Sequence, residues 1–165
     1  MFTGVILLKI VMLLGLGAWL FIAAINNFFD PGTNQALILD MMSMEKLKSD
    51  QSKMGKKSLW RSYSNEKVIA VLLKTIASIQ MVIAILLIIS GILTLLAGFF
   101  YLELSSVNLV ISNIALCSFC GLWLFFLCGG LWFLYWIKLP NAQIAHFILL
   151  LTGILSTILI NLPYR

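Results

Sequence analysis

Charge is what this chain has least of. Only 10% of its 165 residues are Asp, Glu, Lys or Arg, against about 25% in a soluble domain. So few ions cannot clothe a water-facing surface, and a freely dissolved globule is excluded. Proline is scarce too, at three residues, which leaves long stretches without a helix breaker. The chain has one histidine, His146, so a haem held by two of its own histidines is excluded. A single-histidine haem, or a metal shared with a partner, is the sharper reading of His146. The plainer one is a polar residue near the start of the last helix. The three cysteines, Cys117, Cys120 and Cys128, fall in one apolar block, so no disulfide framework can be inferred. There is no G-x-S-x-G, no glycine-rich phosphate loop and no pair of carboxylates in an apolar block. The usual hydrolase, kinase and nucleotide signatures are thereby missing. No catalytic residue, metal ligand or cofactor is assigned, and the chain is read as non-enzymatic.

What remains is apolar. Hydrophobic residues make up 62% of the sequence, and they gather in four blocks at about 5–27, 68–100, 107–137 and 141–162. Each meets the roughly 20 residues that a helix needs to cross about 30 Å of hydrocarbon. Helices satisfy their own backbone hydrogen bonds in lipid. A β-barrel would show short alternating segments instead. The fold class is all-α: an integral membrane antiparallel four-helix bundle, one domain over 1–165, with a partly helical first loop at 28–67. The links at 101–106 and 138–140 are short, which forces antiparallel neighbours. The second and third blocks exceed the bilayer requirement and should tilt or project. The first block has no basic start and no small-x-small cleavage site, so it reads as a retained helix rather than a signal peptide.

The first loop is the polar part. Asp30-Pro31-Gly32 is turn chemistry, after which Thr33 or Asn34 can cap a short helix. Leu37, Ile38, Met41, Met42, Met44 and Leu47 form its apolar side, a pattern suited to the membrane surface or to the bundle. Residues 49–58 are the flexible stretch. Trp60 and Tyr63 suit the headgroup layer just before the second span. Basic residues cluster between Lys46 and Lys67, with Glu45, Asp50 and Glu66 among them. This reads as a solvated loop able to touch anionic lipid, at about 1 kcal/mol per basic residue. Nucleic-acid binding is not expected, since the aromatics that stack on bases lie mostly inside the spans.

Polar residues inside the blocks are few. Lys9 and Lys74 are read as snorkelling to the nearer interface, with a buried functional lysine as the alternative. Ser78, Gln80, Ser112, Asn113 and Asn161 are expected to hydrogen-bond between helices, worth about 0.6–2 kcal/mol each. The alternative places Gln80 and Asn113 in a small intramembrane polar site. Gly15, Gly17, Gly91, Gly98, Gly129 and Gly130 permit close helix approach. Cys117-Ser-Phe-Cys120 is read as packing, with redox or metal chemistry as the alternative.

Four stretches carry a family resemblance. Asn26-Asn27 with Asp30 and Thr33-Asn34 resembles an Asn-x-x-Asp-x-x-x-Asn segment. Met42-Ser43-Met44-Glu45 is similar to Leu-Ser-Met-Asp. Trp60-Arg61 matches a Trp-Arg pair, and Gly129-Gly130-Leu131-Trp132-Phe133-Leu134-Tyr135-Trp136 resembles Gly-Gly-Glu-Trp-Phe-x-x-Trp. Together they look like the bacterial small integral membrane proteins called domain of unknown function 2165. The chain departs from that pattern at Gln80 and Leu131, where the family has Glu. The resemblance implies a periplasmic first loop, whereas the positive-inside count places that loop in the cytoplasm. Shared topology favours both termini in the cytoplasm. No activity is implied.

Asn26, Asn27, Asp30, Asn34, Trp60 and Arg61 are expected to form a polar and aromatic cap, with Arg61 paired to Asp30 and with Trp132 and Trp136 on the same face. That cap either fixes the loop or binds a partner or small ligand. The location read is the bacterial inner membrane. The partners read are membrane lipid and either another membrane protein or further copies of the chain. Three function classes follow. A non-catalytic accessory or interaction protein would hold a stable partner. A channel or carrier for a small solute or lipid would show flux sensitive to Gln80 or Arg61. A redox or cofactor-binding protein would show visible absorbance dependent on Cys117, Cys120 or His146.

Overall fold

The computed structural model describes residues 4–100 and 106–163. Its elements are helix α1 (Gly4–Phe29), α2 (Pro31–Ser43), α3 (Glu45–Lys48), a 3₁₀ segment (Lys56–Arg61), α4 (Glu66–Phe99), α5 (Ser106–Trp132), a 3₁₀ turn (Tyr135–Ile137) and α6 (Pro140–Ile160). Four of these, α1, α4, α5 and α6, are long and apolar enough to cross a membrane. The chain is all-helical, with four apolar helices arranged as a bundle. Residues 101–105 of the expected second link lie outside the described residues.

Local chemistry explains the ends. Asn65 caps α4, its side chain accepting from the backbone N–H of Lys67 and Val68. Pro31 and Pro140 sit in the first turns of α2 and α6, where proline's missing N–H is an orphan anyway. The α2 start differs from expectation. Asp30 precedes the helix and its carboxylate accepts from the Thr33 hydroxyl at 2.9 Å. That leaves Asn34 inside the helix, with its side chain pointed at α1. Helix α5 stops at Trp132, sooner than the apolar block ends. Leu134 takes a left-handed φ of 53°, and the chain turns there towards α6.

Helix α1 packs along α4, α4 along α5 and α5 along α6. The core joins Leu13, Leu20, Leu87, Leu116 and Phe119, all fully buried. Two glycines set the α1–α4 distance. A Cβ on Gly17 would lie 2.8 Å from Ile88 Cγ1 and 3.1 Å from the Ile88 backbone nitrogen. A Cβ on Gly91 would lie 2.6 Å from Leu14 Cδ2.

The end of the bundle away from the first loop is tied by polar groups. Ser90 donates to Asn108 Oδ1 at 3.0 Å, Asn108 Nδ2 donates to Thr94 at 3.1 Å, and Ser112 lies against Ser90. Asn113 and Asn161 exchange amide hydrogen bonds of 3.2 and 2.7 Å across α5 and α6. Lys9 corrects an expectation. It does not reach outward but is fully buried, its ammonium donating to the carbonyls of Ile160 at 3.0 Å and Leu162 at 2.5 Å. A cation there complements the carbonyl end of α6. Lys74 is exposed.

Candidate functional site

The opposite end of the bundle holds a cavity of about 540 Å³. Helix α1 supplies Trp19, Asn26 and Asn27, and α4 supplies Ile76 and Gln80. Trp123 and Phe126 of α5 and His146 of α6 form the facing wall, while Asn34, Leu37 and Met41 of α2 lie across the top. It is open to the outside, because Trp19, Asn26, Leu37 and Phe125 line it and are exposed.

One wall is a relay of carboxamides. Asn34 Nδ2 donates to Asn27 Oδ1 at 2.5 Å, and Asn27 Nδ2 donates to Gln80 Oε1 at 2.8 Å. The relay joins α2, α1 and α4, and both Asn27 and Gln80 are buried. Its last member, Gln80, still presents an Nε2 amide with no hydrogen-bond partner among the described residues.

The other wall is aromatic. The ring of His146 stacks on Trp123 at 5.6 Å and 29°, and Phe126 lies 5.0 Å away. Trp19 reaches across from α1 to within 5.7 Å of Trp123. Tyr135 fixes the histidine. Its hydroxyl donates to the Phe126 carbonyl at 2.9 Å and lies 3.0 Å from His146 Nδ1. A tyrosine hydroxyl has one proton and a carbonyl can only accept, so Nδ1 must be the donor to Tyr135. In the neutral ring this leaves Nε2 with a bare lone pair, and it too has no partner among the described residues. Burial pushes the Tyr135 phenol up to about 12, so the hydroxyl keeps its proton at any physiological pH.

No Asp, Glu, Lys or Arg is among the described residues lining the cavity. Its electrostatics are those of dipoles: amide and ring N–H donors and carbonyl and imine acceptors against apolar rings. Among the described residues no three His, Cys, Asp or Glu side chains lie close enough to hold a metal ion. The cysteines are free and do not line the cavity; Cys117 and Cys128 are exposed, and Cys120 packs towards Gly153.

The expected cap divides into two. Asn26, Asn27 and Asn34 line the cavity together with Gln80. Arg61 instead lies over the rings of Trp132 and Trp60, at 4.8 and 5.2 Å, and its Nη1 donates to the Trp132 carbonyl at 3.5 Å. The pairing of Arg61 with Asp30 is not formed, because Asp30 is held by Thr33. Trp136 is exposed and belongs to neither group. Asn113 lies at the far end with Asn161, well away from Gln80's relay. A further tether, the ion pair of Asp50 and Lys138, joins the loop to the α5–α6 link. Lys138 and Ser52 together hold the Asp50 carboxyl well below the usual carboxylate range.

Tyr135, Trp123 and Trp19 were not singled out as site residues from the sequence, and His146 was weighed only as a haem ligand or a ligand to a metal shared with a partner. The only signal was a lone histidine a helical turn or two from a segment dense in Phe and Trp.

Four spanning helices, a loop folded over one end and an uncharged cavity beneath it define a multi-pass helical integral membrane protein. The chain belongs to the family described as predicted small integral membrane protein (DUF2165), whose family model matches residues 5–163. No curated protein and no solved structure matches the chain.

Proposed function

We propose that this protein is a non-catalytic binding protein of the bacterial inner membrane that takes an uncharged amphiphile into the cavity under its first loop. The observation that carries this reading is the cavity itself. At about 540 Å³ it falls within the 300–1,000 Å³ of ordinary ligand sites, and like them it sets a few convergent polar groups among apolar walls. Packing alone would favour apolar side chains here, since a polar group left unpaired in an apolar setting costs about 1–3 kcal/mol. The apolar interior of the membrane is the natural source of the ligand, and the topology implied by the family resemblance puts the first loop on the periplasmic side.

A second reading has its own support. Trp60 is 71% exposed and Trp132 49%, and Arg61 is held between them. Exposed aromatics around an arginine are typical anchors of a protein interface, which favours an accessory role towards another membrane protein or a further copy.

Native mass spectrometry of the protein purified in mild detergent tests the first reading. One small lipophilic compound is expected per chain, and Ala23→Trp, which fills the cavity from α1, is expected to abolish it while helix content stays unchanged. A wild-type protein that retains nothing, from membranes of the source cell and after incubation with total lipid extract, overturns the reading.

A further inference from the structure

We infer that the ligand's head is a hydroxylated aromatic ring, the chemistry of a membrane hydroquinone, bound between His146 and Gln80. This rests on the ligand-binding reading above and narrows it to one chemical class.

Three observations select the class. The first is charge. With no Asp, Glu, Lys or Arg among the described lining residues, a phosphate or carboxylate head would be buried without a counter-ion, and an ammonium likewise. Burying an unpaired charge is prohibitive compared with burying a hydrogen-bonded neutral group. Phospholipids and fatty acids are therefore poor occupants. The second is shape. His146, Trp123 and Phe126 present ring faces within 5.0–5.6 Å of one another, and Trp19 approaches from the opposite helix. Such walls favour a flat head through offset and edge-to-face contacts.

The third is the polarity of the open groups, among them the buried Trp123 Nε1–H, a donor without a partner among the described residues that asks for a ligand oxygen. The Tyr135 hydroxyl gives its only proton to the Phe126 carbonyl, so His146 Nδ1 donates to Tyr135 and Nε2 is left as an acceptor. It asks for a ligand O–H or N–H. The carboxamide relay runs from Asn34 through Asn27 to Gln80 Oε1, so Gln80 Nε2 is left as a donor. It asks for a ligand oxygen. A hydroquinone meets both, with one hydroxyl giving its proton to His146 and another oxygen accepting from Gln80. The oxidised ring has only carbonyls and leaves His146 unanswered. The site should therefore distinguish the two redox states by binding alone, with no electron transfer implied.

The test is equilibrium binding to the full chain in phosphatidylcholine nanodiscs under argon. The probes are a decyl-tailed benzohydroquinone, the matching benzoquinone and decanoic acid. Saturable binding of one hydroquinone per chain is expected, about tenfold tighter than the quinone, the size of one hydrogen bond at a site otherwise left unpaired. His146→Phe keeps a ring for stacking and should bring the hydroquinone down to the quinone's affinity. Gln80→Met should weaken both forms alike. Circular dichroism confirms that each variant is folded, and because the two variants fail in different patterns, the loss of one to misfolding leaves the other decisive. Equal affinity for both redox states in the wild type, a preference that survives His146→Phe, or tighter binding of decanoic acid overturns the hydroquinone assignment. Those outcomes leave the binding role intact, since that role stands or falls on the compound retained by the purified protein.

Discussion

Placing the same methyl group at two positions on one helix separates packing from propensity. Gly15 and Gly17 are both in α1. A Cβ on Gly15 meets nothing within 4 Å, whereas one on Gly17 falls 2.8 Å from Ile88 Cγ1 and 3.1 Å from the Ile88 backbone nitrogen. The Ile88 side chain can rotate away, but its backbone is part of α4 and cannot. Gly15→Ala therefore gains only the conformational benefit of alanine over glycine in a helix, about 0.5–1 kcal/mol. Gly17→Ala gains the same and loses about 1–3 kcal/mol to overpacking. The propensity contribution cancels in the comparison, so Gly17→Ala should be less stable than Gly15→Ala by about 1–3 kcal/mol. The shift should also travel. Asn27 lies ten residues on, about 15 Å along the axis at 1.5 Å per residue, and its 2.8 Å bond to Gln80 depends on the same helix spacing. Reversible unfolding in mixed dodecyl maltoside and SDS micelles, followed by helix circular dichroism, measures the difference. Two variants within about 0.5 kcal/mol of each other, inside the usual scatter of surface substitutions, would refute the close approach of α1 and α4.

Three other outcomes are expected. Lys9→Met keeps the side-chain bulk but strips the donor from the Ile160 and Leu162 carbonyls, and should destabilise the bundle by about 1.5–3 kcal/mol in the same unfolding assay. Alkaline titration of phenolate absorbance should show a step near pH 12 that is missing in Tyr135→Phe. Because burial favours the neutral phenol, the stability Tyr135 lends is complete below about pH 10 and falls as pH rises towards that step. Asp50→Asn should raise amide exchange in residues 46–58 and in the α5–α6 link by loosening the pair with Lys138. In the wild type the pair favours the ionised carboxyl, so the tether is complete above about pH 3.9. It is lost only as pH drops through the lower value at which Asp50 titrates when paired; unchanged exchange in the variant would show that the pair does not hold the loop.

The spans were legible because lipid imposes a length and an apolar character that few other constraints imitate. Helix α2 was legible for a similar reason, since Asp30-Pro31-Gly32 marks a boundary in local chemistry. The carboxamides of Asn27 and Asn34 stood out as polar residues beside a span, and Gln80 as one within it. Their convergence did not, because it depends on α2 folding back over α1 and α4. Lys9 was misread for the same kind of reason: its partners lie 151 and 153 residues away, beyond any local rule. The aromatic wall was hidden more deeply. Tyr135 reaches Phe126 and His146 only because the chain reverses at Leu134. Leucine gives no sign that it will adopt a left-handed backbone. Gly153, which lets α6 approach Phe119 and Cys120, has Ser156 and Thr157 one turn on, a small-residue signal of helix contact that the sequence reading left unused.

The two ends of the bundle solve the same physical problem in opposite ways. In hydrocarbon a polar side chain without a partner is costly. At the far end the polar groups consume one another: Ser90, Thr94, Asn108 and Ser112 close a network, and Asn113 and Asn161 bond reciprocally. Among the described residues these groups answer one another rather than a third party. Under the first loop the networks are built as chains with open ends. Asn34 and Asn27 terminate at Gln80, and Phe126 and Tyr135 terminate at His146. A network made only to join helices gains nothing from an open end. Converting either terminal residue to an apolar one of similar size should then stabilise the empty protein while weakening ligand retention. Gln80→Met strands the Asn27 Nδ2 donor, whereas His146→Phe gives up the 3.0 Å bond to Tyr135 but leaves the Tyr135 proton on the Phe126 carbonyl and keeps the stack on Trp123, which makes it the cleaner case. A His146→Phe protein that is at least as stable as wild type without ligand, and less protected than wild type with it, is the signature of a residue kept for binding. A variant less stable in both states would make His146 a structural partner of Tyr135 and nothing more.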